Sequence, residues 1–143
     1  MIKGLYFEDV ETGDEIPPLT KKPTTVQLVQ FLAVTWHWHR IHFDKPFALS
    51  DGAPDVIVQA RLMGSFLSKM LTDWMGEWGT IKRIKYRSQI MTTPADTLTC
   101  KGLVEKKYIK NENNCLDCEI WVENQNGKIV MPGSATVSLP SRK

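Results

Sequence analysis

The sequence predicts an α+β fold in which an antiparallel sheet wraps around one long central helix. Three observations carry that expectation. Apolar pairs step by four residues from about Val56 to Met75, the hydrophobic period changes to two from Thr80 onward, and Asn126-Gly127 is the strongest hairpin turn in the chain. A helix with so wide an apolar stripe has to be buried against something broad, and the strands that follow it supply an apolar face. With 143 residues the chain can bury a single core but not two, so residues 1–143 are expected to form one domain.

The elements follow in order. The opening from Tyr6-Phe7-Glu8-Asp9 to Pro17-Pro18 is rich in turn residues and is expected to lie on the surface as an extended arm. A first helix is predicted after Pro23. Thr24 and Gln27 have the spacing of a capping box, Leu28, Phe31 and Leu32 follow at helical intervals, and the helix should end near Thr35. The long helix carries Leu62/Met63, Phe66/Leu67, Met70/Leu71 and Trp74/Met75, with small Gly64 and Ser65 letting a sheet come close. Its methionines Met63, Met70 and Met75 read first as core and second as an adaptable wall for a flexible ligand.

Among the strands, Leu98, Cys100, Gly102 and Val104 alternate with Thr97, Thr99 and Lys101. Leu116, Cys118, Ile120 and Val122 alternate with Asp117, Glu119 and Glu123, and a last strand ends at Leu139. Pro132-Gly133 interrupts that last strand, so a bulge is predicted there.

Composition narrows the function. Hydrophobic residues make up 42% and charged residues 24%, and the net charge is +2 with no concentrated basic arm, so nucleic-acid binding is not expected. No stretch is apolar and long enough to cross a membrane, and Met1-Ile2-Lys3-Gly4 does not read as a signal peptide. Three cysteines without a secretory signal point to reduced thiols in the cytoplasm. Cys115 and Cys118 form a C-x-x-C, but their odd separation on a strand sends the side chains to opposite faces, so no metal site is expected there.

The chemistry concentrates in one segment. All three histidines lie in Thr35-Trp36-His37-Trp38-His39-Arg40-Ile41-His42-Phe43-Asp44. Imidazole titrates near physiological pH and can take a proton from carbon or water and return it. H-x-H-x-x-H could also offer three nitrogen ligands to a metal, with Asp44 as a fourth. The plainest alternative is a packed aromatic interface.

This segment, followed by Phe47-Ala48, resembles the signature of MaoC-like (R-specific) enoyl-CoA hydratases and dehydratases. The resemblance covers almost the whole chain. Tyr6 to Val10 with Gly13-Asp14 is similar to the family's N-terminal arm, Pro94-Ala95-Asp96-Thr97-Leu98-Thr99 to a Pro-Gly-Asp-Thr-Leu strand start, and Asn124 to Gly127 with Pro132 to Val137 to its closing hairpin.

The resemblance implies a hotdog fold, pairing of two copies, and reversible hydration of a 2-enoyl thioester. The family motif reads roughly Gly-Asp-x-Asn-Pro-Ile-His, with aspartate and histidine as the catalytic pair. On this chain His42 matches the catalytic histidine, His37 stands at the aspartate position, His39 at the asparagine and Arg40 at the proline. Where the family has His-Gly at the start of the long helix, with the glycine N–H binding the thioester oxygen, this chain has Gln59-Ala60 and then Arg61.

The resemblance therefore implies His42 and His37 as catalytic residues, and Ala60, Gln59, His39 and Arg40 around the oxyanion and substrate. Arg83, Lys85 and Arg87 are candidates for the phosphates of coenzyme A, with a solvated strand face as the competing reading. No metal or redox cofactor is implied, and coenzyme A enters as part of the substrate. The expected partners are an acyl-CoA or acyl-carrier thioester and either a second copy or a related hotdog subunit. The two departures from the motif also suit a catalytically degenerate subunit that partners an active hydratase or binds acyl-CoA. A thioesterase on the same fold would need a carboxylate near the carbonyl, and the motif offers none.

Overall fold

The computed structural model describes residues 4–142; Met1, Ile2 and Lys3, read above as no signal peptide, lie outside the described residues, as does Lys143. A short 3-10 turn at Phe7–Asp9 leads to strand β1 (Glu15–Lys21) and helix α1 (Thr25–Thr35). A second 3-10 turn at Arg40–His42 precedes the short helix α2 (Lys45–Ser50) and the long helix α3 (Ala60–Met75). Four strands complete the fold: β2 (Thr80–Tyr86), β3 (Leu98–Lys110), β4 (Asn113–Glu123) and β5 (Ile129–Leu139).

The strands form one five-stranded antiparallel sheet in the order β1-β3-β4-β5-β2, and α3 is its central helix. This is the hotdog arrangement. Leu62, Met63, Phe66, Leu67, Met70, Leu71 and Met75 of α3 are buried among Leu98, Cys100, Val104, Leu116, Cys118, Ile120, Val122, Ala135 and Val137 of the sheet. Each large apolar side chain so buried contributes about 1.5–3 kcal/mol of transfer free energy. The three helix methionines belong to this core. Close approach of sheet to helix depends on Gly64, where a β-carbon would fall 2.3 Å from the Tyr86 ring of β2.

The cysteines divide as their spacing requires. Cys118 joins the core beside Leu116 and Ile120, whereas Cys115 lines a groove on the outer sheet face with Tyr108, Asp117 and Thr136. Burial pushes the thiols of Cys100 and Cys118 up to about 12. They behave as small apolar side chains.

Three expectations are corrected. The opening segment is more than a surface arm: Val10 and Ile16 are buried in the core, and residues 15–21 form the edge strand β1 against β3. Pro17 and Pro18 are tolerated because they fall in the register irregularity between Ile16 and Leu19, on an edge strand. Helix α3 begins at Ala60 rather than near Val56. The β-branched run Val56-Ile57-Val58 stays extended, with Ile57 N–H donating to Ile41 O at 3.0 Å and Val58 N–H to Thr92 O at 2.8 Å.

The third correction concerns Pro132-Gly133, which carries no bulge. Both residues pair in register with β4, and the β4–β5 irregularity lies between Val122 and Glu123, opposite Met131 and Ile129. A strand residue's N–H and C=O point to the same side. Pro132 O accepts from Arg87 N–H just past the end of β2, so the missing proline donor lies where the β2 ladder has stopped.

Candidate active site

The histidine segment is shaped by local capping. Helix α1 starts on Thr24, whose hydroxyl accepts from Gln27 N–H at 3.1 Å. It stops where Trp36 turns left-handed at φ 52°, with its N–H donating to Leu32 O. The chain reverses, and His37 N–H also donates to Leu32 O at 3.3 Å. His39 then opens the 3-10 turn, its Nδ1 accepting from Ile41 N–H at 3.3 Å. Asp44 caps α2, with Oδ1 accepting from Phe47 N–H at 3.1 Å and Oδ2 accepting from Arg40 Nη2 at 2.7 Å. The Arg40 guanidinium lies over the Phe47 ring, 4.6 Å from its centroid.

This turn aims His42 inward. Its Nδ1 is 2.7 Å from Ile57 O. A carbonyl can only accept, so Nδ1 carries the hydrogen and Nε2 of the neutral ring is left as an acceptor. Burial pushes the His42 pKa below the ordinary imidazole value; the bond to Ile57 opposes the shift, and the nearby His39 and His37 add to it. The neutral ring is therefore favoured, with its basic nitrogen free.

His42 shares a cavity of about 270 Å³ with His37 from the same loop, Phe31, Leu32 and Thr35 from α1, and Gln59, Ala60 and Arg61 at the start of α3. Gln59 is 5% exposed; its Nε2 donates to Leu28 O at 3.0 Å, and its Oε1 has no partner. No side chain caps the first turn of α3. The Ala60 N–H, first in the helix, has no acceptor four residues before it within the helix and carries the positive end of the helix dipole.

The structure thus brings His37, His42, Gln59 and Ala60 together. His39 and Arg40 do not line the cavity: the His39 ring stands 6.0 Å from that of His42 while its Nδ1 accepts from Ile41 N–H, and Arg40 pairs with the capping Asp44. Arg83 opens onto the outer-face groove with Tyr108 and Asp117, and Lys85 and Arg87 onto a separate shallow groove with Pro132 and Ser134. Among the described residues no three His, Cys, Asp or Glu side chains gather as a metal site. Sequence reasoning missed Phe31 and Thr35 as lining residues. Their four-residue spacing puts them on one face of α1, but only the reversal at Trp36 brings that face to His42.

Comparison with known proteins gives the family and the fold. An (R)-specific enoyl-CoA hydratase of Rhodospirillum rubrum is 27% identical over 143 residues, spanning 96% of this chain and 93% of that protein. Unliganded R-hydratase PhaJ1 from Pseudomonas aeruginosa superposes with a TM-score of 0.88 at 22% identity, covering 97% of this chain and 88% of that one. The ChsH1-ChsH2 complex from Mycobacterium tuberculosis gives a TM-score of 0.79 at 21% identity, covering 90% of this chain and 98% of that one. Residues 9–94 match the model of hydroxyacyl-thioester dehydratase type 2, a span that contains every residue lining the cavity. The chain belongs to the hydroxyacyl-thioester dehydratase type 2 family, whose MaoC-like hotdog fold it shares.

Proposed function

We propose that the protein is a lyase that adds water to, or removes it from, the double bond of a 2-enoyl thioester, with His42 as the proton-handling group. The observation that carries this reading is the fixed tautomer of His42. Its Nδ1 is committed to Ile57 O, so Nε2 is the atom presented to the cavity chemistry. In hydration, water oxygen bonds to C3 while one water proton passes through imidazole to C2; dehydration is the reverse. The Ala60 N–H, at the helix terminus, would hold the thioester oxygen as it gains negative charge. His37 shares the cavity and would position or activate the water.

The reaction calls for no metal or redox cofactor, and coenzyme A would enter with the substrate. Arg61 is an exposed cation on the same cavity and could meet carrier phosphates, whereas Arg83, Lys85 and Arg87 serve other grooves. A thioester of this kind suits a cytoplasmic protein working as one domain, paired with a second copy or a related hotdog chain.

A second reading has its own support. His37 replaces a carboxylate and cannot hold a permanent negative charge beside the water, and fold neighbours include the heteromeric ChsH1-ChsH2 and HadBC complexes. On that reading the chain completes an active partner or binds acyl-CoA.

The test is hydration of crotonyl-CoA, and of longer and branched enoyl-CoAs, by the purified protein alone. Turnover that falls at least about 100-fold in His42→Ala would support the hydratase, since positioned acid–base groups contribute on that order. A folded protein inactive on all of them would favour the partner subunit.

A further inference from the structure

The unpaired oxygen of Gln59 goes beyond this scheme. Gln59 is buried, yet its Oε1 is without a hydrogen-bond partner, the one such side-chain atom identified among the described residues. Leaving a buried acceptor unmade costs about 1–3 kcal/mol, so such an atom in a native fold calls for an explanation. An amide flip does not remove it. Exchanging O and N would set the oxygen against Leu28 O, acceptor facing acceptor, and lose the 3.0 Å bond that now anchors the side chain. The free atom is therefore an acceptor, held in place from its other end.

No protein donor is bonded to it. The Thr35 hydroxyl already donates to Phe31 O at 2.7 Å, and His42 Nδ1 to Ile57 O. In the neutral ring Nε2 is itself an acceptor. Two residues that line the cavity thus carry an uncommitted acceptor, His42 Nε2 and the buried Gln59 Oε1. A ligand that satisfies both is an oxygen bearing two hydrogens. The thioester oxygen, which bears none, belongs instead to the Ala60 N–H.

We infer that Gln59 is a substrate-holding residue whose Oε1 accepts a hydrogen bond from the oxygen at C3: the attacking water in hydration, the 3-hydroxyl in dehydration. This rests on the hydration reading above and refines it. One water proton leaves toward His42 Nε2 and ends on C2. The other stays on the oxygen, now bonded to C3, and keeps its bond to Gln59. Gln59 thereby supplies the second acceptor that a carboxylate at position 37 would have offered.

The test compares ligands differing only at C3, titrated calorimetrically in a His42→Ala background that leaves the hydroxy compound intact. There, 3-hydroxybutyryl-CoA should bind more tightly than butyryl-CoA, and 3-fluorobutyryl-CoA, which lacks the hydrogen, should bind like butyryl-CoA. Gln59→Met should weaken the hydroxy compound about five- to tenfold and leave butyryl-CoA unchanged, the range expected for one hydrogen bond. Gln59→His should restore the preference, because a neutral imidazole can donate to Leu28 O and accept at its other nitrogen.

Equal weakening of both ligands by Gln59→Met would overturn the assignment, leaving Gln59 a purely structural side chain. A fluoro compound that binds as tightly as the hydroxy compound would overturn it without any change at Gln59. If no ligand binds before Gln59 is altered, the hydration reading fails and takes this inference with it.

Discussion

His42 is oriented by a backbone carbonyl, not by a carboxylate, and this sets its acid–base behaviour. A carbonyl fixes the tautomer but stabilises the imidazolium less than a full negative charge would. Burial acts against the charged form too, so the folded pKa lies below the ordinary 6.5. The base-competent neutral ring then predominates above that lowered value. In the hydration direction kcat/KM should rise with pH to a plateau, with a midpoint below 6.5, and His42 proton resonances should titrate there too. His39→Asn keeps a capping oxygen for Ile41 N–H but removes an imidazole whose electrostatic influence lowers the His42 pKa, so the midpoint should move up while staying depressed by burial. A midpoint at or above the ordinary value would mean that the ring is not buried as described. The unfolded chain takes up this proton at higher pH than the folded one, so folding weakens as pH falls below about 6.5. At this scale the sequence disclosed His42 and the clustering, because residue identity is enough to see them. It could not disclose that His39 and Arg40 are engaged within the turn, since that depends on which side chain each turn N–H and Asp44 recruit.

Among the elements, β2 depends on a single missing side chain. A β-carbon at Gly133 would lie 2.4 Å from Lys85 O, a backbone atom of the neighbouring strand that cannot swing aside. At Gly64 the clash is with the far end of the Tyr86 side chain, which can move. Gly133→Ala should therefore destabilise more than Gly64→Ala, the first near the upper end of the roughly 1–3 kcal/mol seen for overpacking, measured by denaturant unfolding. The reverse order would show that the Tyr86 ring is the more rigid neighbour. Element by element, the strands β3 to β5 and the body of α3 were legible because strict periodicity of two or of four specifies which face is buried. Boundaries were harder. Val56 to Val58 continue the apolar pattern into α3, and only their bonds to Ile41 and Thr92 keep them extended. Strand β1 was hidden by two prolines, which ordinarily argue against a strand and are admitted here by its edge position.

For the molecule as a whole, the sheet and α3 form one body, while the histidine segment is attached to it by few bonds. Exposed Trp36, Trp38 and Phe43 stand edge to face along that segment, with ring centroids 5.9 and 6.1 Å apart. Size-exclusion with light scattering should show a mass of at least twice 16.3 kDa for the purified chain if it works as a homodimer. A monomer that hydrates enoyl-CoA only after mixing with a second hotdog chain would identify the heteromer. The left-handed Trp36 has a further consequence. A residue with a β-carbon held at φ 52° stores about 1–2 kcal/mol that a glycine would not, so the reversal that delivers His42 is kept under tension. Between Trp36 and Val58 no strand ladder shares that load. On warming, the loop should let go before the sheet does: catalysis would fade several degrees below the melting transition seen by circular dichroism, and return on cooling. Thermal inactivation would then behave as a reversible switch of one loop, distinct from the death of the fold.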